Sequence, residues 1–465
     1  MIRSLSFALF VAGVGSAVVL ASCTEHDSNG NPHHPSTAGN GGSAGEAGAN
    51  EGDAGKGGGS GGASGSAGTA GSGGEAGGTV VPPVPMTAVD ADDPNIVYSG
   101  RVDFTAPKAP KFSLSGVAIS ANFHGTAANL KLTDQYRYGK WVNFFDVSID
   151  GGPATRVMAK AATTTATFSV AAGLADADHT IRVVKRTEAN VGFSQFNGFE
   201  FGSPSNGGKI LPKTDPPTRK IEFIGDSITC GSGDEGKGGS DPQCTQSLAD
   251  VLATDGMGQP AENAAQSYGP LLAASLNAEY HLTAYSGIGL VQNYSNMYDA
   301  RTMPDLYDLL LPEETSTTTI PGESASAIWP VANWVPDVIV IALGTNDFGG
   351  GDGTQTFAID STFVNTTFPQ KYESFIDTLH TDYPNAVFAI TSSPILADYP
   401  DLDLSLAAVV NYYGGADGAA GPKVARCDFS HLPSGGGGCT GHPTLAQQAT
   451  MATEIESCVK TLAGW

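Results

Sequence analysis

The sequence predicts an α/β fold, a parallel sheet sandwiched by helices, preceded by an all-β sandwich domain. Three observations lead there. Polar and apolar residues alternate between about 90 and 208, wholly apolar runs alternate with helical stripes between 218 and 465, and glycine, alanine and serine crowd the positions before 85. With 40% hydrophobic and only 15% charged residues, the chain has ample material for a large core.

Residues 1–23 begin with Arg3, continue through an apolar stretch from Leu5 to Leu20 and end in Leu20-Ala21-Ser22-Cys23. A basic start, an apolar middle and small residues mark an export signal, and the apolar stretch is shorter than the roughly 20 residues that span a bilayer. The ending resembles the bacterial lipoprotein processing site. That resemblance makes Cys23 the lipidated first residue of the mature chain, held in the cell envelope at the outer membrane or cell surface. An ordinary cleaved signal peptide is the alternative, and both export the chain.

Residues 24–85 read as a tether, since Ser28 to Gly78 is almost all small residues with no apolar face to bury. A coil of about 50 such residues reaches roughly 40 Å. The adjacent His33 and His34 within it are read as bystanders, not as a metal site. Acidic residues outnumber basic ones 47 to 23, a net charge of −24. So anionic a chain has no electrostatic footprint for nucleic acid and would be repelled by an anionic lipid surface. Any membrane contact would run through the N-terminal lipid.

The sandwich is read over 90–208. Phe145, Val147 and Ile149 alternate with Asp146, Ser148 and Asp150 before a Gly151-Gly152 turn, and Ala166, Phe168 and Val170 alternate with polar partners. Thr180 to Lys185 and Phe199 to Phe201 add strands. The α/β unit is read over 218–465. Ile221 to Ile224, Val338 to Leu343 and Val387 to Ile390 are strands apolar on both faces. Tyr268, Leu271, Leu272 and Leu276 form one helical stripe, Tyr372, Phe375, Ile376 and Leu379 a second, and Leu445, Ala449, Ala452, Ile455, Val459 and Leu462 a third.

Five cysteines follow Cys23. Spacing pairs Cys230 with Cys244 and Cys427 with Cys439, each closing a short Gly-rich loop, and leaves Cys458 free. The chain contains no Cys-x-x-Cys pair that would indicate zinc or redox chemistry.

Ligands of an α/β sheet sit at the carboxyl ends of its strands. There, Phe223-Ile224 leads into Gly225-Asp226-Ser227, and Val340 to Leu343 leads into Gly344-Thr345-Asn346-Asp347. Ser227 is a candidate nucleophile, the Asn346 amide a donor to developing negative charge, and His442, just before the last helix, a base for neutral pH. Phe348 is a candidate platform for a sugar ring.

In the order Ser, Gly, Asn, His, these blocks resemble the SGNH or GDSL hydrolases, whose sheet is flavodoxin-like. The resemblance implies Ser227 as nucleophile, His442 as general base, and the backbone N–H groups of Ser227 and Gly287 with the Asn346 amide as oxyanion hole. Phe223 to Gly231, Ser267-Tyr268-Gly269, Trp334-Val335-Pro336-Asp337 and Lys185-Arg186-Thr187-Glu188 narrow it: the chain from about 95 is similar to carbohydrate esterase family 2, which places a jelly roll before the hydrolase domain. That likeness implies removal of O-acetyl groups from polysaccharides such as xylan or glucomannan, with no cofactor.

The chain departs from the general SGNH pattern at Cys439, where an aspartate normally stands three residues before the histidine. A main-chain carbonyl near Cys439 is expected to hold the ring, with Asp428 as its rival. Two further readings stay open. One is a surface carbohydrate-binding lipoprotein without catalysis; the other is an esterase of lipid or small acyl esters, against which the acidic, Gly-rich stretch Gly231 to Asp241 argues.

Overall fold

Alternating side chains build the first half of the molecule. Its strands are β1 (Met86–Val89), β2 (Val97–Ser99), β3 (Lys111–Phe112), β4 (Ala118–Gly125), β5 (Ala127–Asp134), β6 (Phe144–Ile149), β7 (Thr155–Met158), β8 (Ala166–Ala171), β9 (Ala177–Lys185), β10 (Ser194–Gly202) and β11 (Lys209–Leu211). This computed structural model describes residues 84–465 apart from 138–140, 160–163, 205, 239–240, 242–243, 245–260, 296–300, 313–326, 350–356, 397–399, 415–420 and 433–435. The signal, Cys23 and the His33-His34 pair lie outside the described residues.

Among the described residues the strands form two antiparallel sheets. One runs β1-β10-β5-β8 with β3 on β10; the other runs β11-β4-β9-β6-β7 with β2 on β4. In β5 every second residue is buried, so Leu130 and Leu132 turn into the core beside Phe199 and Phe196 of the neighbouring β10, while Asn129 and Lys131 face outward. The β6–β7 hairpin turns through Asp150 and Gly151, both at positive φ (54° and 68°), with Gly152 N donating to Ile149 O at 2.9 Å. That is the mirror-image turn whose twist matches the flanking strands.

The second half repeats strand and helix. Strands β12 (Arg219–Gly225), β13 (Ala278–Ala284), β14 (Val338–Ala342), β15 (Val387–Ile390) and β16 (Val424–Arg426) form a parallel sheet in the order β13-β12-β14-β15-β16. Its helices are α1 (Ser227–Cys230), α2 (Tyr268–Ser275), α3 (Met303–Leu306), α4 (Thr345–Phe348), α5 (Phe368–Asp382), α6 (Pro400–Tyr413) and α7 (Leu445–Ala463). Strand residues divide by parity. Ile221, Phe223, Val338 and Val340 pack with α2 and α7, whereas Ile224, Ile339 and Ile341 pack with α5 and α6. Both faces are thereby covered, as the wholly apolar runs required.

The stripe predicted for α7 is shifted. Leu445 and Ala449 are exposed, and Gln448 and Met451 are buried instead. Gln448 is inside because its amide accepts from Tyr268 N at 2.9 Å and donates to Ile228 O at 3.0 Å, satisfying a polar group that burial would otherwise penalise.

Sandwich and α/β sheet belong to one compact unit. Glu222, midway along β12, is buried against Arg101 of the sandwich at 3.0 Å and accepts from Thr283 Oγ1 and Tyr307 OH, both at 2.8 Å. Arg186, at the end of β9, pairs with Asp146 of β6 at 2.7 Å and with Glu235 of the hydrolase domain at 2.6 Å. Removing one partner of such a buried pair costs about 3–5 kcal/mol, because it strands the other charge.

Candidate active site

Strand β12 lies between β13 and β14, so three carboxyl ends open side by side where the strand order reverses. Directly after β12, Asp226 caps α1 by accepting from Ile228 N at 2.9 Å. Gly225 is needed for contact, not for an unusual torsion: a Cβ there would stand 2.0 Å from Thr229 Oγ1, itself bonded to Tyr268 OH. Burial pushes the Asp226 carboxyl up to about 7, against the hydrogen bond from Ile228.

Ser227 is thereby presented to His442. Ser227 Oγ and His442 Nε2 are 2.7 Å apart, 215 residues distant in sequence. On the other side of the ring, Nδ1 lies 3.0 Å from the Cys439 carbonyl and 2.9 Å from Thr440 Oγ1, whose hydroxyl donates to that same carbonyl. A carbonyl oxygen can only accept, so its contact with the ring is a hydrogen bond when Nδ1 carries the proton, and in that tautomer Nε2 faces the serine as an acceptor. The segment folds tightly enough for this because Thr440 and Gly441 both adopt positive φ, 51° and 80°.

The carbonyl predicted near Cys439 thus holds the ring. Asp428, the rival, is engaged elsewhere, accepting from Ser392 N at 3.0 Å and pairing with Arg426 at 2.9 Å. Burial lowers the His442 pKa from its ordinary 6.5, with the Cys439 hydrogen bond opposing. An NMR titration of the His442 ring, identified by its loss in His442→Gln, should give a midpoint below 6.5. A midpoint above 6.5 would signal a carboxylate partner, which would stabilise the imidazolium.

The Gly287 loop follows β13. Gly287 has a φ of 78°, its carbonyl accepts from Tyr294 N at 2.9 Å, and the next carbonyl, of Ile288, accepts from Asn346 Nδ2 at 2.7 Å. The asparagine and glycine blocks therefore meet. Asp347 anchors the loop beyond, its buried carboxylate accepting from Leu290 N, Val291 N and Gln292 N at 2.7–3.1 Å. Burial raises this carboxyl to about 6 despite those bonds. Gly289 fits only as glycine, since a Cβ would come within 1.8 Å of Gln292 O.

Two predicted assignments are corrected. Phe348 is no platform: it is fully buried, edge-on to Phe363 and Phe368, because the first turn of α4 points it into the core. An exposed ring beside the loop belongs instead to Tyr294, 46% accessible. The disulfides join Cys244 to Cys439 and Cys427 to Cys458, leaving Cys230 buried and free. Chain spacing misleads here. Cys230 sits inside the α1 turn with its Sγ toward Glu188, while Cys439 N donates to Gly233 O at 2.9 Å, placing Cys439 against the Gly-rich loop that leads to Cys244. Strand β16 likewise ends beside α7, bringing Cys427 within 5.6 Å (Cα–Cα) of Cys458.

Residues that escaped the sequence reading are Gln448, which ties α7 to the nucleophile turn, and Tyr294. A glutamine interrupting an apolar stripe was the available signal for the first. A cavity of about 910 Å³ lies between the sandwich and α2 and is lined by none of Ser227, Asn346 or His442.

Both halves of the chain are similar to known proteins. A family model described as carbohydrate esterase 2 N-terminal matches residues 98–213, and one described as GDSL-like lipase/acylhydrolase matches 221–455. The cellulase/esterase CelE of Acetivibrio thermocellus is 33% identical over 377 residues, 81% of this chain. This chain spans only 40% of that protein's length. An acetylxylan esterase/glucomannan deacetylase of Cellvibrio japonicus is 27% identical over 379 residues, covering 81% of this chain and 91% of its own. The solved family two carbohydrate esterase from Clostridium thermocellum, in complex with cellohexaose, is 33% identical with a TM-score of 0.64, covering 80% of this chain and 99% of its own. The chain with its Ser227–His442 pair belongs to carbohydrate esterase family 2, a family of the SGNH/GDSL hydrolases.

Proposed function

We propose that the protein is a serine esterase that removes O-acetyl groups from polysaccharides of the xylan or glucomannan type. The observation that carries the reading is the 2.7 Å contact between Ser227 Oγ and a His442 ring whose far nitrogen is held by a carbonyl. His442 Nε2 takes the hydroxyl proton as Ser227 Oγ bonds to the acetyl carbon, and the carbonyl electron pair moves onto oxygen. The backbone N–H groups of Ser227 and Gly287 with the Asn346 amide receive that charge. As the carbonyl reforms, the bond to the sugar oxygen breaks and His442 protonates the departing hydroxyl. Water then enters, gives its proton to Nε2 and attacks the acetyl-serine; acetate leaves and Ser227 regains the proton.

Nothing in these steps draws on a metal or organic cofactor. The name of the Cellvibrio relative, acetylxylan esterase/glucomannan deacetylase, supports the substrate class, and that of the Acetivibrio relative, cellulase/esterase, supports an esterase. Acetylated xylan and glucomannan should release acetate, and matched butyrate and octanoate esters should turn over far more slowly. Equal or faster cleavage of the octanoate ester would favour a lipid esterase, and glycan binding without acetate release a non-catalytic surface protein. We further propose export and anchoring through a lipid on Cys23, which mass spectrometry of the mature N-terminus tests.

A further inference from the structure

We propose that Glu188, carried by the β-sandwich domain, is a positioning residue for the oxyanion hole. Its carboxylate clamps Ser286, the residue before Gly287, and so sets the direction of the Gly287 N–H. The inference rests on the esterase reading above.

Ser286 N donates to Glu188 Oε2 and Ser286 Oγ donates to Glu188 Oε1, both at 2.7 Å. One carboxylate therefore takes both donors of a single residue, the short charge-assisted geometry that fixes orientation as well as distance. Gly287 has a φ of 78°, in a region where glycine is held by no side chain, so its peptide plane depends on what fixes the residues on either side. Beyond it, Asn346 fixes the Ile288 carbonyl. Before it, Tyr285 N reaches Gly225 O at 3.2 Å, beside the nucleophile turn, and the Glu188 clamp follows. Since Ser286 C=O and Gly287 N–H share one rigid plane, the clamp acts on the N–H with a single torsion between.

Glu188 is itself held from the sandwich side. It is fully buried, and Lys185 Nζ donates to its backbone carbonyl at 3.2 Å and to that of Thr187 at 2.6 Å. Thr187 Oγ1 donates to Asn143 Oδ1 at 2.7 Å, and Arg186 is paired with Asp146 and Glu235. Each member of Lys185-Arg186-Thr187-Glu188 thus has a polar partner, and the last reaches 98 residues along the chain into the hydrolase domain. A residue that only joined two domains would not need both oxygens on the neighbour of an oxyanion donor.

The test compares Glu188→Ala, Glu188→Gln and Ser286→Ala in the full chain, reading acetate release and inhibition by an alkyl boronic acid, which becomes a tetrahedral anion on the serine hydroxyl. Glu188→Ala should lower kcat about 10- to 100-fold with KM unchanged, and weaken boronate inhibition by a similar factor. Glu188→Gln should recover most of the loss, because its amide oxygen can accept from Ser286 N while its NH₂ donates to Ser286 Oγ. Ser286→Ala, which keeps the backbone bond, should cost kcat a few-fold and serves if Glu188→Ala does not fold. Unchanged kcat in Glu188→Ala or Ser286→Ala, a change confined to KM, or a glutamine variant as impaired as the alanine one would overturn the proposal. Absence of acetate release from the wild-type protein would instead remove the esterase reading beneath it.

Discussion

Ser227→Ala should abolish acetate release from acetylated xylan, lowering kcat by about 10⁴-fold or more while leaving the fold intact. The change removes one oxygen from a side chain already in the first turn of α1, so capping by Asp226 and the contacts of Ile228 persist. What is lost is the atom that forms the acyl bond and the only partner of His442 Nε2 among the described residues. With no oxygen to attack, the oxyanion hole can still polarise an ester toward water, which sets the residual rate. Retention of more than a few per cent of wild-type turnover, measured on protein freed of wild-type contamination, would disprove Ser227 as nucleophile.

Asn346 should carry the next largest effect. Replacing it by alanine removes a side-chain donor from the charge that develops in the transition state and should lower kcat by about 10²–10³-fold with little change in KM. The same substitution releases the Ile288 carbonyl, held at 2.7 Å, so part of the loss would come through the Gly287 loop. Asn346→Asp separates the two contributions. It keeps the shape but sets a carboxylate against both the Ile288 carbonyl and the incoming oxyanion, and it should be worse than alanine. If it were better, Asn346 would be a spacer and not a donor.

The sheet was legible in the sequence because it rests on local rules, and the Ser227–His442 pair because its blocks, in order, resemble those of a known family. Apolar runs at Ile221 and Val338 can only be strands covered on both faces, and Gly225-Asp226-Ser227 falls where such a strand must turn. The Cys439 carbonyl was legible for a negative reason: no acid stands at that position. Contacts set by tertiary packing were not. Phe348 follows a catalytic block, yet one further residue of helix turns it inward. The cysteine pairs depend on which loops the sheet edge gathers, and Gln448 looks like an error in a stripe until Tyr268 N and Ile228 O are seen around it. Glu188 stood out only as part of a segment resembling the family's, with no role attached, because its meaning lies in Ser286.

One residue joins covalent chemistry to proton transfer. Cys439 contributes its sulfur to the bridge with Cys244 and its carbonyl to His442. A reductant added routinely to an assay buffer would therefore act on His442, the proposed base, without touching an atom of its pair with Ser227, by freeing the backbone that aims the imidazole. Protein prepared in a thiol-rich cytosol and protein matured outside it would share one sequence and differ in how firmly that base is aimed.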